Sequence, residues 1–206
     1  MIKQTGEEIA NTVTHLSGVL LSAIFGLLLL FKGNILDLNE FLGISLFSLS
    51  AFIMYISSSI YHWAMPGKLK RVLRYFDHSN IYILIAASYT PILLCAVKGK
   101  LGWWMFGILW TVAIFGIIYK IFFLGKYPRL SLMIYLTMGW SVVFIAKSVW
   151  LTLPSISLVL ILCEGILYTI GTYFFSHDNK KYYHAIWHLF VLGGTASHFL
   201  AVWFIL

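Results

Sequence analysis

Charge is what this chain has least of. Only 10% of its 206 residues are Asp, Glu, Lys or Arg, where a water-soluble globular domain carries roughly a quarter. Apolar residues make up 61%. That imbalance excludes a soluble globular fold and makes lipid the solvent for most of the surface. Acidic residues number seven against fourteen basic ones. The basic residues are scattered through short connections, which is how membrane topology is encoded, and do not form a nucleic-acid-binding patch. The two cysteines, Cys95 and Cys163, both lie in apolar runs. There they read as small packing residues and carry no information on redox compartment. Low-complexity tracts and long linkers are missing too.

Long apolar runs fill the rest. A hydrocarbon core of about 30 Å needs about 20 helical residues, and that rule divides the chain into seven spans, 11–32, 39–64, 76–97, 101–123, 130–151, 155–176 and 183–206. Pro66-Gly67 and the run Lys68, Lys70, Arg71 and Arg74 end the second span. Lys98-Gly99-Lys100 ends the third, Gly125 to Arg129 separates the fourth from the fifth, and Pro154 opens the sixth. The expected architecture is therefore all-α, one seven-helix transmembrane domain over residues 1–206. The first apolar run follows Lys3, Glu7 and Glu8 and has no small-residue cleavage pattern after it, so it reads as a retained span.

Orientation follows from the Lys/Arg distribution. With the N-terminus inside, the inner segments hold Lys3, Lys68, Lys70, Arg71, Arg74, Lys120, Lys126, Arg129, Lys180 and Lys181, ten in all. The outer segments hold Lys32, Lys98, Lys100 and Lys147. The excess predicts a cytoplasmic N-terminus and an external C-terminus. Trp103-Trp104 then falls at the outer boundary and Trp63 at the inner one, as interfacial anchors.

Against this apolar background the last span reads His184-Ala-Ile-Trp-His188. Two imidazoles four residues apart share one helix face. His15 near the inner end of the first span, His62 at the inner end of the second and Asp77 opening the third all reach the same depth. Four spans thus deliver imidazole or carboxylate to one layer. Three histidines plus a water make a catalytic zinc set with one open position. One carboxylate is too few for a Ca²⁺ or Mg²⁺ cage. The bland alternative for the His184/His188 pair is an interhelical hydrogen bond. Ser58, one turn before His62, either orients a water or an aspartate oxygen, or bonds its own helix carbonyl.

The other polar residues of the spans read as follows. His78 neighbours Asp77, but adjacent helical residues point about 100° apart, so it is expected to face elsewhere. His177 belongs to a loop, and His198 lies about 15 Å beyond His188 by helical rise, which predicts an interhelical hydrogen bond. Gly193-Gly194 favours close helix packing. The last span has no lysine, which excludes a retinal Schiff base. A haem would have little use for Asp77.

Ser58-x3-His62, Asp77 and His184-x3-His188, together with Glu8-x2-Asn11-x3-His15, Tyr89-Thr90-Pro91 and Tyr168-Thr169-x-Gly171, resemble the haemolysin III family. That family lies among the progestin and adipoQ receptors, in the superfamily that includes alkaline ceramidases. The resemblance runs along essentially the whole chain. It implies a seven-helix bundle with a cytoplasmic N-terminus, in a bacterial plasma membrane. It implies zinc held by His62, His184 and His188, with Asp77 holding a metal-bound water and Ser58 close by. It also implies hydrolysis of a lipid amide or ester, with Asp77 as the proton acceptor. Glu8, Asn11 and His15 are expected to support the site or meet the substrate, or simply to cap and hydrate their helix. A zinc-stapled receptor without catalysis and a lytic or pore-forming protein are the rival readings. Glu164, mid-span where a small residue is expected, reads either as a neutral packing residue or as a carboxylate facing the substrate.

Overall fold

The computed structural model describes residues 6–32 and 37–206. Lys3, counted above among the inner charges, lies outside the described residues. Helix α1 is Gly6–Lys32, α2 Leu38–Trp63, α3 Lys68–Pro91, α4 Gly99–Phe123, α5 Pro128–Gly139, α6 Ala146–Thr152, α7 Ser155–Ser176 and α8 Tyr183–Ile205. A π-helical turn, Ile92–Val97, continues α3, and a 3-10 segment, Trp140–Ile145, joins α5 to α6. Counting α3 with its π turn and α5 with α6, seven helical segments of 22 to 30 residues among the described residues are long and apolar enough to cross a membrane. The described residues form no strand.

The helix starts have local causes. Asp37 caps α2 by accepting from the Glu40 amide at 2.8 Å, and the Glu40 carboxylate accepts from the Asp37 amide at 3.3 Å. This is the reciprocal box that satisfies the first orphan amides. Pro128 stands in the first turn of α5, where its missing N–H costs nothing. Helix α3 begins eight residues before the apolar span predicted from hydropathy. Its basic first turns are good helix formers outside the hydrocarbon, and the 20-residue rule counts only what the lipid covers. Asp77 consequently lies in the third turn of α3 rather than opening the helix.

Two irregular turns break the ideal ladders. Pro91 cannot donate to the carbonyl one turn back, and the chain past it widens until the Lys98 amide bonds the Leu93 carbonyl, five residues earlier, at 2.9 Å. In the fifth span the Tyr89 hydroxyl donates to the Gly139 carbonyl and accepts from the Val142 amide at 2.9 Å. A side chain inserted between backbone groups that would otherwise pair is a recognised cause of helix distortion.

The helices pack in the order α7, α8, α1, α2, α3, α4, with α5 and α6 against α3 and only sparsely against α7. Two apolar clusters form. One joins α1, α2 and α8 through Leu29, Phe47, Tyr55 and Phe199, and the other joins α3, α4 and the fifth span through Tyr82, Leu109 and Met138. A cavity of about 450 Å³ lies between α3, the fifth span, α7 and α8. Outward, Phe31, Phe122, Phe144 and Trp150 are all more than 70% exposed, an apolar surface suited to lipid. Close approach needs glycine in two places. A Cβ at Gly18 would fall 2.3 Å from the Tyr55 ring, and one at Gly194 would fall 2.7 Å from Tyr168.

Candidate metal centre

Short connections bring the start of α1, the end of α2, the start of α3 and the start of α8 to one end of the bundle. The first turn of α8 is pinned there, because the Tyr182 amide donates to the Glu7 carboxylate at 2.7 Å. His184 and His188 then project from successive turns of α8 toward His62 on α2. Their ring centroids lie 4.6 Å apart within α8, and each is 5.1 Å from His62. One nitrogen from each of the three rings falls within 4.8 Å of the others, close enough to share one ion.

The outer nitrogens decide which atoms are available. His62 Nδ1 donates to Glu8 Oε2 at 2.7 Å, with the Asn11 side-chain amide 3.4 Å from the same nitrogen. The other Glu8 oxygen accepts from Lys70 at 2.6 Å. His188 Nδ1 faces the Asn11 carbonyl at 3.2 Å and the Thr14 hydroxyl at 3.1 Å. His184 Nδ1 lies 3.9 Å from Asp178. In His62 and His188, Nδ1 is within hydrogen-bond reach of an oxygen, which places the proton there and the lone pair on Nε2. That is the tautomer in which metal-binding histidines are normally held. Three imidazoles converging in this way could hold one metal ion.

The remaining predicted residues surround this cluster. His15 is buried and stacks on His188 with ring centroids 3.4 Å apart, and neither of its nitrogens has a hydrogen-bond partner among the described residues. Asp77 is buried, and it lines the cavity together with His15, His184 and His188. Ser58 is fully buried beside Asp77, its hydroxyl making no bond of good geometry. His78, expected to face elsewhere, borders the same cavity. The cavity is broad enough to meet α3 on two adjacent directions. His177 sits in the turn after α7, with Nδ1 2.8 Å from the Tyr173 carbonyl. His198 makes the interhelical bond expected of it, and its partner is Glu164, at 2.7 Å. Lys120, counted among the inner charges, is buried and donates to Ser131 at 2.8 Å.

Three contributors escaped the sequence reading. Thr14 lies three residues after Asn11, and that spacing on one helix face was the available signal. Lys70 carried only a topological meaning until the fold set it on Glu8. Asp178 looked like loop polarity, because nothing in its neighbourhood announces His184.

Seven membrane-length helices enclosing a three-histidine cluster at one end define a multi-pass membrane protein with a candidate metal site. The comparisons with known proteins narrow this class. A family model described as haemolysin-III related matches residues 3–199, and the chain belongs to that family. It is 41% identical to the hemolysin-3 homolog of Bacillus subtilis (strain 168) over 199 residues, covering 96% of this chain and 93% of that one. It is 39% identical to hemolysin-3 of Bacillus cereus, over 96% and 91% of the two chains. The human monocyte to macrophage differentiation factor is 34% identical across 96% of this chain and 83% of its own. No solved structure matches the chain.

Proposed function

We propose that this protein is a zinc-dependent hydrolase of lipid amides or esters in a bacterial plasma membrane, with the zinc end of the bundle toward the cytoplasm. One observation carries the reading. Three imidazoles, each with one nitrogen within reach of a shared ion, converge beside a buried carboxylate, at the edge of an apolar cavity large enough for an acyl chain. The two bacterial relatives and the Lys/Arg excess at that end support the location.

His62, His184 and His188 would hold the ion. When bound, zinc supplies Lewis acidity and a water acidified to a pKa of about 7. Glu8, carried by Lys70, keeps the His62 proton on Nδ1, and Asn11 and Thr14 do the same for His188. Asp77 accepts a proton at its carboxylate and returns it to the leaving nitrogen or oxygen, the general acid–base role. Ser58, buried beside Asp77, would aim the carboxylate by turning its hydroxyl toward it. Cavity walls formed by Leu84, Ile85, Ile161 and Leu162 exclude water from the bound chain.

The test begins with metal. Mass spectrometry of the purified protein in detergent should find about one zinc per chain, lost in a His184→Ala/His188→Ala double variant. A screen of acyl amides and esters with the zinc-loaded protein then reads turnover. A protein without stoichiometric zinc would defeat the proposal at its first step, and loaded protein inert on every amide and ester would defeat it at the second.

A further inference from the structure

Away from the histidine cluster the cavity is bordered almost wholly by apolar and aromatic side chains, with one conspicuous polar pair. Glu164 on α7 and His198 on α8 both line it, and His198 Nδ1 lies 2.7 Å from Glu164 Oε2. Each is more than nine-tenths buried, His198 at 1% exposure and Glu164 at 8%. Phe47 packs against the imidazole at 4.5 Å between ring centroids. Ionisable groups at this depth are costly. Well-packed apolar residues would join two helices at least as well as a buried polar pair.

The pair is also incomplete. Nearby, Tyr55 and Tyr168 both close their hydroxyls onto Thr195, at 2.8 and 3.0 Å. His198 Nε2 has no hydrogen-bond partner among the described residues. A purely structural bond would engage one nitrogen and one oxygen and would have no reason to border a cavity. Here an unpaired ring nitrogen and a carboxylate stand together at its wall. With the Nδ1 proton held by the carboxylate, Nε2 is left as an acceptor, and a hydroxyl complements it by donating its one proton there.

We propose that Glu164 and His198 form a second polar subsite, which binds a hydroxyl carried on the acyl chain of the lipid. Helical rise from His188 to His198 places that hydroxyl about 15 Å from the group held at the histidine cluster. The preferred ligands are thus hydroxylated acyl lipids rather than plain saturated ones. This rests on the reading of the cavity as an acyl-chain site.

Trp140, Trp150 and Trp187 line the cavity, so a brominated chain bound there quenches tryptophan fluorescence. Full-length protein in detergent would be loaded with dibromostearic acid, then titrated with stearic acid or 12-hydroxystearic acid as competitor. The wild type should favour the hydroxy acid by about tenfold, the worth of a well-made buried hydrogen bond. A Glu164→Leu/His198→Phe variant should bind stearic acid undiminished and show no preference. If that variant fails to retain zinc, the near-isosteric Glu164→Gln reads the same ratio, expected to fall to about threefold or less. Equal competition by the two acids in the wild type would overturn the subsite and leave the acyl-chain cavity standing. A preference surviving in the variants would overturn it as well. Saturable quenching that neither acid relieves, or no quenching at all, would remove the acyl-chain cavity and the subsite together.

Discussion

Glu8 shows how a residue's meaning depends on contacts that its position in the chain does not display. It precedes the first apolar run, where a carboxylate ordinarily favours a helix N-terminus. In the fold it joins His62 on α2 to Lys70 on α3 and so fixes the His62 tautomer. Outer partners of this kind typically contribute tenfold to a hundredfold in metal affinity. Glu8→Gln should therefore weaken zinc binding by about that factor while the helices stay folded, measured by competition with a chromogenic chelator. Unchanged affinity would reduce Glu8 to a cap. Asp77 makes the sharper prediction. Asp77→Asn keeps a polar group of the same size and should keep zinc, yet turnover should drop by about a hundredfold to ten-thousandfold, the usual worth of general acid–base catalysis. A zinc-loaded Asp77→Asn variant at full activity would end that role. His184 and His188 could be picked out from residue type and helical spacing, and His62 was named as the third candidate by the family resemblance. The contacts of Thr14 with His188 and of Asp178 with His184 could not be picked out, because the first joins helices remote in the chain and the second starts from a turn outside any helical repeat.

At the scale of elements, hydropathy located all seven crossings but not their irregularities. The π turn after Pro91 has a visible cause in the sequence, since proline withholds a donor wherever it stands in a helix. The 3-10 segment at Trp140–Ile145 has none, because its cause is the hydroxyl of Tyr89, fifty residues away. Tyr89→Phe removes that hydroxyl and leaves the Gly139 carbonyl and the Val142 amide without it. Either the pair reforms an ordinary helical ladder or the segment loosens. We expect loosening, at a cost of about 1–3 kcal/mol for an unsatisfied buried pair, seen as a lower melting temperature in detergent and faster amide exchange over 139–145. A variant as stable and as protected as the wild type would show that the distortion belongs to the backbone and not to Tyr89. The early start of α3 has a comparable lesson. Lys68 to Arg74 looked like a loop because charge ends a membrane span, yet charge does not end a helix.

For the whole molecule, the Lys/Arg excess predicts a C-terminus outside the membrane. A C-terminal fusion to a reporter that folds only in an oxidising compartment should be active, and the same reporter placed in the Lys126–Arg129 connection should be silent. The opposite pattern would put the histidine cluster on the external face. What the sequence by itself determined was the solvent, the number of crossings and the short set of residues able to hold a metal. Those depend on composition, on the thickness of a bilayer and on the repeat of a helix, all of which are local quantities. Only the tertiary structure decided the rest: the α2–α8 meeting that closes three imidazoles on one point, the Glu8–Lys70 support behind His62, and a cavity whose wall carries Glu164 against His198. Each of these is a distance between segments remote in the chain, and such distances are set by how helices pack, not by the order in which residues follow one another.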